Sequence, residues 1–251
     1  MMPTQFAILI PAYNEATTIS GVIEASLQFT PHVIVVNDAS QDDTSSVVKQ
    51  TPALLLEHSV NKGKASALLT GFQKAIELDV DYVITLDGDG QHNPKNIPLL
   101  MNAFDKNPGQ LIIAARLKNR DNAPKARLLA NKIADFWVGW AASCPISDSQ
   151  SGFRLYPTGL LKKLKPHSTN PSGFVFESEV LIDAAANGYQ FIFVPIASCY
   201  PDIRRASHFR PGFDISQITI MVAKKLLKKG LNLPGLVKSL IQKPIIFKEA
   251  K

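Results

Sequence analysis

A chain of 251 residues with 45% hydrophobic and 19% charged residues can bury a substantial core, which excludes a disordered or fibrous protein and suits one domain with at most an appendage. No uninterrupted apolar run approaches the roughly 20 residues of a membrane-spanning helix, and the sequence has no internal repeat or low-complexity run. The net charge of +6 is uneven: from Ile215 onward eight lysines face one acid, Glu249, which gives +7 and leaves −1 for residues 1–214.

From the N-terminus, MMPTQ leads straight into FAILIP with no basic leader or cleavage site, so a first strand is expected rather than a signal peptide. Four further apolar runs, VIVVN, ALLLE, YVITLD and LIIAA, are separated by helix-period segments at 16–29, 42–50, 65–78 and 96–104. Strands apolar on consecutive residues are buried on both faces, and their alternation with helices predicts a mostly parallel sheet with right-handed crossovers. Ligands of such sheets sit beyond the carboxyl ends of the strands. The polar clusters fall there: Tyr13-Asn14-Glu15 after FAILIP, Asn37-Asp38-Ala39-Ser40 after VIVV, and Asp87-Gly88-Asp89 after YVITL.

In the second half, Lys125–Ala142 is expected as a helix, SGFRLY as a short strand, 176–187 as a helix stopping near Gly188, and FIFVPIA as a last strand. Pro195 favours an edge position for that strand. Residues 202–213, DIRRASHFRPGF, are expected to form a basic loop that closes a first domain at 1–213 and opens a basic tail at 214–251. In the tail, Ile215, Ile218, Val222 and Leu226 recur on one helical face with Lys224 and Lys228 turned away. Such an amphipathic helix suits either an anionic membrane surface or a place against its own domain. Lysine interleaved with Ile, Leu, Met and Val, rather than arginine with aromatics, argues against nucleic acid as a partner. Cys144 and Cys199 lie far apart and outside metal-ligand spacing, as expected of free thiols in a reducing cytoplasm. The protein is expected to be cytoplasmic, either soluble or peripheral on the inner face of the membrane.

The most informative stretch is VITLDGDGQH, where an apolar strand ends in Asp87 and Asp89. Alternate residues of an extended chain point the same way, so the two carboxylates face one cation if the strand geometry persists. Carboxylate oxygens favour Mg²⁺ or Mn²⁺, and Mg²⁺ is commonly held by one or two carboxylates plus substrate phosphates. An ordinary Asp-Gly turn is the plain alternative. An EF-hand opening at Asp87 would need glycine and glutamate where the chain has His92 and Pro98; a P-loop ending in Lys64 would need glycine and Ser/Thr where it has His58 and Ala65. Both readings fail.

Taken in order, IPAYNE (10–15), VVNDASQDDT (35–44), NKGKASAL (61–68), LDGDGQH (86–92), DSQSGFR (148–154) and FVFESEVL (174–181) resemble the inverting glycosyltransferases of family 2, and within them the dolichyl-phosphate mannosyltransferase-like group. The resemblance implies an α/β fold of the nucleotide-diphospho-sugar transferase (GT-A) type, a mostly parallel sheet flanked by helices. It implies that Pro11, Tyr13 and Glu15 line the nucleotide pocket, that Asp38 contacts the base or ribose, and that Lys64 lies near the nucleotide. Asp87, Asp89 and Gln91 would surround a divalent ion, Mg²⁺ or Mn²⁺, and the donor diphosphate. Arg116, Arg127, Ser151 and Arg154 would face the acceptor or the transferred group. Asn37-Asp38 replaces the family's frequent Asp-Asp, and Ala114-Ala115 its Gly-Ser, which leaves base and sugar open.

The expected activity is transfer of a sugar from a nucleotide diphospho-sugar to a membrane-presented acceptor, foremost a polyprenyl phosphate. A phosphate oxygen is already ionised near neutral pH, so arginines that hold it are enough. A lipid or glycan hydroxyl would instead need a carboxylate base, Asp148 or Glu177. Each of these residues also has a structural reading: a turn cap for Asp148, a surface position for Arg154, a helix N-terminus for Glu177. A nucleotidyltransferase would usually carry a glycine-rich, arginine-containing signature near the N-terminus, which is missing after FAILIP. A non-catalytic nucleotide-sugar-binding or scaffold protein is the rival outside the enzymes.

Overall fold

The computed structural model describes residues 5–118, 125–164, 173–197 and 211–249. Among these residues eight strands, β1 (Phe6–Ala12), β2 (Val33–Asn37), β3 (Leu54–Glu57), β4 (Tyr82–Thr85), β5 (Leu111–Lys118), β6 (Arg154–Pro157), β7 (Phe191–Ala197) and β8 (Ile245–Ile246), form one sheet in the order β3-β2-β1-β4-β6-β5-β7-β8. All pairings are parallel except those of β6, which runs antiparallel to both β4 and β5. The predicted mostly parallel sheet is therefore observed.

Side chains alternate across the strands into two cores. Ala7, Leu9, Ile34, Val36, Leu111, Ile113 and Phe193 point to one face; Phe6, Ile8, Ile10, Val33, Val35, Ile112 and Val194 point to the other. The second face is covered by α1 (Ile19–Leu27), α2 (Thr44–Lys49) and α4 (Ile97–Lys106), through Ile19, Val22, Ile23, Val48, Ile97 and Leu100. The first is covered by α3 (Lys64–Glu77), α5 (Lys125–Ala142), the short α6 (Thr158–Leu161), α7 (Gly173–Ala186) and α8 (Pro211–Lys228). Gly71 lets α3 lie close on β1, since a Cβ there would fall 2.1 Å from Leu9 Cδ1.

Three sequence expectations change. ALLLE is apolar on consecutive residues, yet β3 is half exposed because it is an edge strand. β7 is not the edge: β8 pairs with it at Ile192 and Phe193, and Pro195 stands beyond that short pairing. α8 begins at Pro211, inside the expected loop, while residues 202–210 of that loop lie outside the described residues. Ile218, Val222 and Leu226 are buried in the same core as α5 and α7, and Lys225 pairs with Glu179 and Asp183 of α7 at 3.1 and 2.6 Å. Of the two places the sequence left open for this apolar face, a membrane surface or the domain itself, it takes the second; the side chain of Ile215 is outside the described part. A last helix, α9 (Leu233–Ile241), follows a short 3-10 turn and packs on α5.

The topology places the site. The chain leaves β1 for β2 and β3 on one side, then crosses to β4 on the other, so the carboxyl ends of β1 and β4 flank a switch point. Because β6 is antiparallel, its start pairs with the end of β4, Thr85 opposite Arg154, and the loop 148–153 arrives at the same edge.

Candidate active site

The tips of β1 and β2 are fastened together into one wall. Asn14 takes a left-handed conformation, φ 58°; its N–H donates to Ser40 Oγ at 2.9 Å and its Oδ1 accepts from Gln41 N at 2.8 Å. The backbone N–H of Glu15 donates to Thr44 Oγ1, and Pro11 and Glu15 are buried while Tyr13 is half-buried. Asp38, expected at the base or ribose, is tied into the protein on one side. Its carboxylate accepts from Lys62 N and Gly63 N at 2.9 and 2.7 Å and lies 2.6 Å from His58 Nδ1, so it faces the 58–63 loop and fixes the approach to Lys64.

Beyond β4, Thr18 Oγ1 donates to the carbonyl of Gly88 at 2.7 Å and pins the acidic loop to the start of α1. Asp89 Oδ1 accepts from Gln91 N, closing the turn that also carries Gln91 to this edge. His92 is buried; its Nδ1 accepts from Asp87 N at 3.2 Å and its ring packs at 5.4 Å from Phe153. Burial holds the imidazole below its ordinary range, so the 3.6 Å approach to Asp87 Oδ2 is not an ion pair. Lys64, the first residue of α3, reaches across with Nζ 2.6 Å from Asp87 Oδ1 and 2.8 Å from Glu177 Oε1. Burial opposes its charge, but Asp87 and Glu177 together raise it well above the ordinary lysine range. Burial would likewise raise Asp87; the Lys64 ammonium outweighs it and holds the carboxyl down to about 2. Two glycines make room for this junction. A Cβ on Gly152 would stand 3.0–3.1 Å from Glu177 Oε1, Lys64 Nζ and Asp87 Oδ1, and one on Gly173 would stand 2.6 Å from Lys64 Cδ.

On the β5 side, Arg116 and Asp148 form a forked pair: Nε donates to Oδ2 at 2.8 Å and Nη2 to Oδ1 at 2.6 Å, while Arg116 N adds a third bond to Oδ2. Asp148 itself is left-handed, φ 59°, and its N–H and that of Ser149 donate to Asp135 of α5 at 3.0 and 2.7 Å. Burial, with the nearby charge of Asp148 adding to it, raises Asp135 to about 6 despite these two donors. Ser151 Oγ donates to Ala114 O at 2.6 Å and is fully buried. Arg154 is also fully buried, with its guanidinium donating to the carbonyls of Ser151, Ser149 and Glu177 at 2.7–2.9 Å. Ser151 and Arg154, expected to face the acceptor, hold the 148–153 loop in place through these bonds to backbone carbonyls. Asp148 is locked to a guanidinium, which removes it as a free base. Arg127 lies in α5 with its side chain outside the described part.

The junction of Asp87, Lys64 and Glu177 gathers residues from the loop after β4, from α3 and from α7 that the sequence singled out separately. Asp135, Gly152 and His58 were missed. Asp135 left a signal, being the only acid in the 18-residue α5 and set among Ala134, Phe136 and Trp137.

A divalent cation fits this edge in one manner only. Among the described residues no cluster of three or more His, Cys, Asp or Glu side chains could cage a metal. Asp89, however, is a half-buried carboxylate with no basic side chain in ion-pair range among the described residues, and burial together with the charge of Asp87 raises it above its ordinary value. That is the condition of an acid whose counter-cation comes with the ligand, and an ion held by one or two carboxylates and completed by substrate phosphates suits Mg²⁺.

Parallel strands that deliver an Asp-Gly-Asp loop to the β1/β4 switch point, closed by one antiparallel strand, define a nucleotide-diphospho-sugar transferase fold of the GT-A type. The glycosyl transferase family 2 profile matches residues 7–164, and the chain belongs to that family; it is a glycosyltransferase. It is 28% identical over 238 residues to a UDP-N-acetylglucosamine–dolichyl-phosphate N-acetylglucosaminyltransferase of Methanococcus voltae, covering 86% of this chain and 94% of that protein. It is 26% identical over 206 residues to the polyprenol monophosphomannose synthase of Mycolicibacterium smegmatis, covering 77% of each. Among solved structures, glucosyl-3-phosphoglycerate synthase of Mycobacterium tuberculosis with Mn²⁺, UDP and glucosyl-3-phosphoglycerate shares the fold, with a TM-score of 0.64 at 21% identity over 90% of this chain and 80% of that one.

Proposed function

We propose that the protein transfers one sugar from a nucleotide diphospho-sugar to a polyprenyl phosphate presented at a membrane surface, with Mg²⁺ or Mn²⁺ at Asp89. Two of the proteins named above are a dolichyl-phosphate N-acetylglucosaminyltransferase and a polyprenol monophosphomannose synthase, which supports the acceptor class. The observation that carries the reading is the pairing of the carboxylates. Asp148 and Glu177, the two candidate bases, are each bound to a cationic side chain, Arg116 and Lys64. Asp89 is paired with none among the described residues. A site whose candidate bases are already neutralised suits a nucleophile that needs no proton removed, and a phosphate monoester oxygen is one.

In this reading the acceptor phosphate oxygen attacks the anomeric carbon, the bond from that carbon to the diphosphate oxygen breaks, and the nucleoside diphosphate leaves. Asp89 and Gln91, with Asp87 beside them, would hold a divalent ion, which would supply positive charge to offset that developing on the leaving diphosphate. Pro11, Tyr13 and Glu15 line the nucleotide wall. Lys64 keeps Asp87 and Glu177 together beneath the donor, and Arg127 and Arg116, the latter with its guanidinium still forked to Asp148, are the basic groups assigned to the acceptor phosphate.

The test is titration with GDP-mannose, UDP-glucose and UDP-N-acetylglucosamine, with and without Mn²⁺, beside Asp89→Ala, followed by product analysis with a short-chain polyprenyl phosphate. Metal-dependent binding of one donor, lost in Asp89→Ala, with release of a nucleoside diphosphate and a sugar-linked polyprenyl phosphate, is expected. Release of pyrophosphate, or no turnover with any donor, would overturn it in favour of nucleotidyl transfer or a binding protein.

A further inference from the structure

Among the described residues no helix is long and apolar enough to cross a membrane, and the apolar face of α8 is buried. The contact with lipid needed by the proposed reaction must come from another surface. α9 supplies an unusual one. A surface helix normally turns its large apolar residues inward and its polar ones to water. α9 turns most of its large apolar residues outward. It is buried chiefly at Gly235, where a Cβ would fall 2.6 Å from Ser143 Oγ, and it crosses Gly139 of α5, whose added Cβ would lie 3.7 Å from Ser239 Cβ. The large residues face out: Val237 is 53% exposed, Leu240 64% and Ile241 76%.

This arrangement is firmly held. Asn232 caps the helix by accepting from Gly235 N, and its Nδ2 donates to Ser143 Oγ at 2.8 Å. Trp140 Nε1 donates to the carbonyl of Leu231 at 2.9 Å. The apolar surface continues along α5. Trp140 packs on Phe136 at 6.1 Å, and Phe136, Ile133 and Leu129 form an exposed stripe on that helix. Small residues toward the protein and large apolar ones away from it is how helices pack when their outer side meets lipid, and an exposed patch of this kind marks an interaction surface.

Charge identifies what covers it. Lys238 is the one charged residue of α9; Lys229 and Lys243 flank that helix in the chain and, with Lys224 and Lys228 of α8, are exposed, and no acid occurs between Ile215 and Lys248. Two copies of this chain meeting on the patch would set two such basic rims against each other, whereas a bilayer with anionic headgroups takes both the apolar residues and the lysines.

We infer that α9 and the outer stripe of α5 form an interfacial docking surface for an anionic membrane. The inference rests on the proposed lipid-phosphate acceptor for its purpose, and its position joins the two: α5 carries the docking stripe and, at Asp135, the hydrogen bonds that hold the Asp148–Arg116 loop.

The experiment is flotation of the full chain, without donor, with vesicles of phosphatidylcholine alone and of phosphatidylcholine mixed with phosphatidylglycerol. The protein is expected to float with the anionic vesicles and to be released by salt. The Leu240→Ser/Ile241→Ser variant, changed only at exposed positions, should bind at least about tenfold more weakly, with unchanged thermal unfolding and unchanged nucleotide-sugar binding in solution. A parent chain that stays with the buffer, or a variant that floats as well as the parent, overturns the inference. So does a parent dimer in light scattering that the variant converts to monomer, which would assign the patch to a second copy. Transfer to a short-chain, water-soluble acceptor is read separately, so failure of docking and failure of the transferase reading are distinguishable.

Discussion

Asp87 and Asp148 stand at the same edge of the sheet, each with a cationic nitrogen 2.6 Å away, but their surroundings differ in kind. The Asp148 side chain is 3% exposed, gripped through both oxygens by a planar guanidinium and carried on a backbone that Asp135 holds. Asp87 is 27% exposed and shares one flexible ammonium with Glu177. A forked guanidinium pair is geometrically specific, whereas lysine offers a mobile point charge. The first cluster is built to stay as it is; the second can rearrange when a cation and a diphosphate arrive. Scaffold and working site are thus made from the same residue types and separated by geometry.

The two clusters are told apart most directly at Arg116. We predict that Arg116→Met destabilises the fold by about 3–5 kcal/mol, because it leaves the Asp148 carboxylate buried and unpaired. Added Mn²⁺ should not restore that loss, since the 148–153 loop presents no open side for an ion. Chemical denaturation with and without the metal measures both effects, and recovery by Mn²⁺ would show the two clusters to be alike. Next in size is Lys64→Met. Asp87 and Glu177 would then face each other without their shared cation, at a cost of about 2 kcal/mol given the partial exposure of Asp87. Here Mn²⁺ is expected to raise the unfolding midpoint back toward the parent, and a variant indifferent to the metal would sink the claim that this cation is exchangeable.

Much of the architecture was legible in the sequence because it depends on local pattern. The bounds of α5 coincide with the expected Lys125–Ala142, and the polar tips after β1, β2 and β4 lie at one edge, as strand order by apolar runs implies. The site was legible as a set of residues but not as a set of partners. Arg154 resembles a ligand-binding arginine in sequence, yet its donors end on carbonyls of residues 149, 151 and 177. Arg116 and Asp148 are 32 positions apart, and nothing in their local sequence says that they neutralise each other. α9 illustrates the same limit in apolar residues: LPGLVKSLI shows that the segment is hydrophobic, while only its packing through Gly235 on α5 shows which side is left outside.

The smallest predicted effect sharpens the scaffold side. Asp135 titrates at about 6 in the folded chain against an ordinary value of 3.8. Between those two values the folded chain binds more protons at this position than the unfolded one, so its contribution to stability falls as pH rises through the window and is constant above it. Asp89 and other acids add slopes of their own, which cancel when a variant is compared with the parent at each pH. The stability of Asp135→Asn relative to the parent should therefore improve by about 1–2 kcal/mol from pH about 4 to pH about 6.5, the partial exposure of the residue keeping the change below the full shift. Denaturation midpoints at closely spaced pH decide it. A difference independent of pH would mean that Asp135 is ionised throughout, and that the backbone donors of Asp148 and Ser149 outweigh its burial.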